Sequence, residues 1–74
     1  MEDDLRSRIW ELFEDAAPNL CYIGRTRETL SRLLEESESE GDLAVMLDAE
    51  MQREENASLR TDLKILKGRL EAST

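Results

Sequence analysis

The stretch REENASLRTDLKILKGRL, Arg53 to Leu70, governs how the rest of the chain is read. Leu59, Leu63, Leu66 and Leu70 follow one another in alternating steps of four and three residues. That is the spacing of a coiled-coil seam, with Leu63 and Leu70 at heptad position a and Leu59 and Leu66 at d. One step further back the next a position is Asn56. The flanks then follow without further freedom: Asp48, Glu55 and Asp62 fall at g, and Arg53, Arg60 and Lys67 at the following e. A parallel pair sets each g against the next e of its twin, acid against base. An antiparallel pair sets like against like, so the charges predict a parallel arrangement. A buried asparagine at a pairs with its own copy only in a parallel, in-register dimer, and so reads as a register pin. Its plainer reading is a polar residue at the frayed start of the seam. If it is a pin, Asn56→Leu should raise thermal stability.

Over Arg53 to Leu70 the chain resembles the leucine zippers of basic-zipper transcription factors, and that resemblance implies dimerisation. The basic arm is absent. Between Leu33 and Glu55 nine acids face the single base Arg53, and those acids would repel phosphates. Direct nucleic-acid binding is therefore not expected. Upstream the seam degrades, with Gln52 at d and Ala49 at a, while Leu43, Met46, Leu47 and Met51 lie off the line. Ile65, at an outer c position, keeps a tetramer open beside the homodimer.

The whole chain has 74 residues and a net charge of −8. So short a chain buries a modest share of its surface and commonly needs a disulfide, a metal or a partner. Cys21 is the only cysteine and there is no histidine, so an internal disulfide is impossible and no Cys/His zinc site can form. No cofactor is expected, and oligomerisation remains as the source of extra buried area. No apolar run approaches the roughly 20 residues of a membrane span, and no signal peptide is evident. Membrane association is not expected, and a cytoplasmic or nuclear location follows.

Upstream, DDLRSRIWELFEDAA places Leu5, Ile9, Leu12, Phe13 and Ala16 on one helical face. Asp3 or Asp4 suits its start and Pro18 ends it. A second helix begins near Asn19 or near Thr26, with Gly24 leaving the choice open. Its stripe is Leu30, Leu33 and Leu34. The acidic, serine-bearing run to Gly41 reads as a connection. From Asp42, its expected cap, to about Ala72 nothing interrupts a third helix, which would be roughly 45 Å long. The predicted fold is all-α: an N-terminal helical pair over 1–36, an acidic linker over 37–41, and a long helix over 42–72. That helix forms a parallel coiled-coil homodimer through a seam from about 49 to 72. The closing EAST is a frayed end or a boundary.

Catalysis is not expected. Cys21 has no histidine to activate it, the carboxylates form no recognisable constellation, and no phosphate loop or metal-ligand spacing occurs. The expected function is an oligomerisation and protein-interaction module that presents an acidic helical surface to another protein. The alternative is a transcriptional or signalling regulator that docks a helix in a partner's groove. Two segments suit it. WELFEDA, with Trp10 and Phe13, resembles acidic activation helices. LSRLL, with Leu30, Leu33 and Leu34, fits the LxxLL pattern; for both, core packing is the plainer reading. Ser37 and Ser39 precede acids in the context that casein kinase 2 favours, though a solvated linker is the better reading.

Overall fold

A computed structural model describes residues 3–73; the rest of the EAST end, Thr74, lies outside them. The described residues form four α-helices and no strand: α1 (Asp3–Ala16), α2 (Ile23–Glu36), α3 (Glu40–Arg53) and α4 (Ala57–Ala72), with a 3-10 turn at Ala17–Asn19. The all-α expectation holds. The single helix over 42–72 does not, because α3 and α4 are separate helices. One helix of that length would run roughly 45 Å, whereas the molecule measures 31 × 24 × 20 Å.

The break is built from Glu54 to Asn56. Glu54 and Asn56 both take extended ψ angles, 123° and 116°. Asn56 Oδ1 accepts from the backbone N–H groups of Ser58 (2.9 Å) and Leu59 (3.1 Å), satisfying two donors that the first turn of a helix leaves open. Glu54 supports the turn by accepting from the Asn56 N–H. Asn56 is therefore the N-cap of α4 and no register pin. The predicted gain on Asn56→Leu reverses sign: Asn56→Leu or Asn56→Ala should cost about 1 kcal/mol, and Asn56→Asp should retain most of the stability. Urea midpoints of the three variants check this.

The turn lets α4 fold back on α3, the closest helix pair in the molecule. α1 packs on α4, and α2 packs on both α3 and α4. The shared core contains Ile9, Phe13 and Ala16 from α1, Leu30, Leu33 and Leu34 from α2, Leu43 and Leu47 from α3, and Leu63, Leu66 and Leu70 from α4. Leu59 is buried as well. The leucines read as an intermolecular seam thus have partners within their own chain. Met46, Met51 and Ile65, off the heptad line, pack against this core.

The charges placed at g and e are also used differently. Asp48 meets the Lys67 ammonium at 3.1 Å, linking α3 to α4. That hydrogen bond, with Glu71 adding to it, raises the Lys67 pKa above its ordinary value. Arg53 pairs with Glu50 on its own helix, and Glu50 also receives Arg32 from α2 at 2.7 Å. Glu55 and Arg60 are exposed. Asp62 is wholly buried.

The serine-bearing connection is short. Ser39, and not Asp42, caps α3 by accepting from the Asp42 N–H at 3.2 Å, and Asp42 reaches back to the Glu38 N–H. This is a near relative of the capping box. Ser37 is buried, with its hydroxyl donating to the Leu33 carbonyl at 2.6 Å.

Candidate functional site: an aromatic groove and a buried carboxylate

Two features stand out beyond the core. The first follows from how α1 and α2 sit. Each packs chiefly on the α3–α4 hairpin and not closely on the other, so side chains must span the space between them. On α1, Phe13 belongs to the buried stripe, and Trp10, three residues earlier, falls beside it and stays half-buried. Their rings meet edge to face, with centroids 5.6 Å apart and planes at 82°, an arrangement the ring quadrupoles favour. From α2 the Arg27 guanidinium lies 5.4 Å from the Phe13 ring centroid, within cation–π range. The result is an open groove of about 510 Å³ lined by Trp10, Phe13, Glu14, Arg27, Glu28 and Ser31. Its floor is aromatic, and each helix contributes one carboxylate to it.

Such a groove can bind an apolar side chain against Trp10 and a polar or charged neighbour at its edge. It holds no nucleophile with an activating base. Among the described residues, no group of three or more acidic or thiol side chains is placed to hold a metal. Nor is any helix long and apolar enough to cross a membrane.

The second feature is Asp62. Its Oδ1 accepts from the Cys21 N–H at 2.8 Å, and its Oδ2 accepts from the Tyr22 N–H at 2.8 Å and the Thr26 hydroxyl at 3.0 Å. Tyr22 caps α2 without a side-chain hydrogen bond of its own. A carboxylate from α4 therefore closes the start of α2, where the helix dipole favours negative charge. This is architecture, and it fixes the position of α2 relative to α4.

Of the side chains expected to dock a partner, Trp10 and Phe13 come together in the groove. Leu30, Leu33 and Leu34 do not join them, since all three point into the core. Arg27, Glu28, Ser31 and Glu14 were not singled out in the sequence. Arg27 and Ser31 are a helical turn apart on one face of α2, and so are Trp10 and Glu14 on α1. That pairing was visible, but nothing local said that the two faces would meet.

A model of the MJ1579 family matches residues 6–74. No curated protein and no solved structure matches the chain. The family match takes in all but the first residues of α1 and the whole of α2, α3 and α4, with both the groove and the buried carboxylate inside it, and the chain belongs to the MJ1579 family.

Proposed function

We propose that this chain is a small, non-catalytic protein-interaction module whose docking face is the groove between α1 and α2. The observation that carries the reading is the half-buried Trp10 set edge-on to Phe13 in an open groove. Tryptophan in a partly desolvated, aromatic setting is the residue type that dominates binding energy at protein interfaces. The expected oligomerisation through Leu59, Leu63, Leu66 and Leu70 would compete with the packing of those leucines inside the chain, so the proposal rests on the groove and not on the seam. In the alternative first drawn from the sequence, the chain's own helix enters a partner's groove. Here the groove belongs to the chain.

The test uses a purified partner, first isolated by affinity capture and then reconstituted with this protein. Ser31→Trp fills the groove from an exposed position, and Trp10→Ala removes its floor. Both should weaken binding at least about tenfold. Val45→Ala, on the exposed face of α3, should leave binding unchanged. Full affinity in Ser31→Trp, with helicity intact by circular dichroism, would remove the groove from consideration.

A further inference from the structure

We infer that the occupant of the α1–α2 groove is a cationic, leucine-bearing amphipathic helix of another protein, recognised by an apolar anchor against Trp10 and by basic side chains beside Glu14 and Glu28. This inference rests on the docking reading above and adds the chemistry of the partner.

Charge complementarity selects the occupant. Glu14 and Glu28 line the groove, one from each wall, against the single lining base Arg27. Arg27 is engaged with the Phe13 ring. Further along α2, Glu35 lies two turns from Glu28 on the same exposed face. Arg32, also on α2, is paired with Glu50. On α1, Arg6 and Asp3 stand four and seven residues before Trp10, at the helical spacing of its face, with opposite signs. The surroundings are thus net acidic, within a chain of net charge −8. A second copy of the chain carries the same net charge of −8 and is repelled in the long-range field. Its α4 does expose Arg60, Lys64 and Arg69, so self-association is the outcome that sedimentation tests. Nucleic acid or an anionic membrane would bring more negative charge. A cationic segment meets attraction at both walls and in the long-range field. The anchor must be apolar because the accessible floor is the half-buried Trp10 ring, with Phe13 buried beneath it, and a helix supplies an anchor with flanking charges at three- and four-residue spacing.

Trp10 is the only tryptophan, so its fluorescence reports on the groove directly. The probes are three capped synthetic peptides long enough for about five helical turns. One carries leucines at helical spacing with lysines elsewhere. The second replaces the lysines with glutamates, and the third keeps the lysines and replaces the leucines with serines. The leucine–lysine peptide should shift Trp10 emission saturably and bind at least about tenfold more tightly than either of the others. Its affinity should fall as salt is raised.

Glu14→Lys with Glu28→Lys should weaken that peptide about tenfold and allow the leucine–glutamate peptide to bind. The remote pair Glu38→Lys with Glu55→Lys makes the same change in net charge on exposed residues, and should have a much smaller effect. Equal binding of both leucine peptides would overturn the cationic partner while leaving the docking groove in place. Equal loss in the groove and remote variants would show a response to net charge alone and would also overturn it. No response of Trp10 to any peptide would overturn the docking reading together with this inference.

Discussion

Asp62→Ala is expected to destabilise the protein by about 3–5 kcal/mol, the sum over the three donors it strands. The substitution removes the acceptor for two backbone N–H groups and one hydroxyl at once, and the Asp62 site is fully buried. Each stranded donor costs about 1–2 kcal/mol, and bonds to a charged acceptor lie toward the upper end. The total is about 3–5 kcal/mol. A domain of this size has roughly 4–11 kcal/mol in all, so a large share of the stability is at stake. Asp62→Asn, which keeps one acceptor oxygen, should fall between wild type and Asp62→Ala. Thr26→Val should cost about 1 kcal/mol alone and much less in an Asp62→Ala background, because the two side chains share one bond. Urea unfolding followed by circular dichroism reads the wild type and the four variants. If Asp62→Ala unfolds within about 1 kcal/mol of wild type, water must serve those donors equally well, and the carboxylate does not hold α2.

Leu63→Ala is the second large effect, and it separates a core within one chain from a seam between two. Leu63 is 1% exposed and belongs to the cluster that joins all four helices. Its truncation should cost about 2–5 kcal/mol, the lost transfer energy plus the cavity left behind. With the leucines packed internally, the wild-type melting temperature should not depend on protein concentration. Sedimentation equilibrium should return 8.5 kDa throughout the micromolar range. Leu63→Ala should lower the melting temperature without changing that mass. A melting temperature that climbs with concentration, and a mass that falls on Leu63→Ala, would restore the intermolecular seam.

The contrast between these two readings of Leu63 shows what the sequence made legible. The local signals for α1 were sufficient: a stripe from Leu5 to Ala16, acids at its start, and Pro18 just beyond its end. The stripe of α2 from Leu30 to Leu34 was equally clear. Its beginning was not, because its capping oxygen comes from a residue 40 or 41 positions away. For α4 the difficulty was degeneracy. Steps of three and four residues describe the buried face of any helix, whether it packs on a twin or on its own chain. Asparagine likewise suits both a seam position and a helix cap. What decides between them is whether Glu54 and Asn56 extend, and that depends on the apolar faces of α3 and α4 finding each other.

Asp62 carried one overlooked signal. It stands between Leu59 and Leu66 at three- and four-residue steps, immediately before Leu63, on the inner arc of the helix. An acid there needs donors to satisfy it, and the uncapped start of α2 supplies them. The groove was only half legible, because Trp10 and Phe13 announce an aromatic wall but the opposite wall is a tertiary event.

The carboxylate that closes α2 also sets an order of events during synthesis. A ribosome delivers α2 well before it delivers Asp62, and in that interval the two residues that lead into α2, Cys21 and Tyr22, lack the acceptor for their N–H groups. The inner faces of α1 and α2 wait on α4 as well, since Leu63, Leu66 and Leu70 complete the core they share. A nascent chain that stops short of α4 therefore holds amphipathic segments with no finished interior. The fold closes only after its last helix emerges, and until then the apolar stripes of α1 and α2 are exposed to whatever chaperones and proteases the cell supplies.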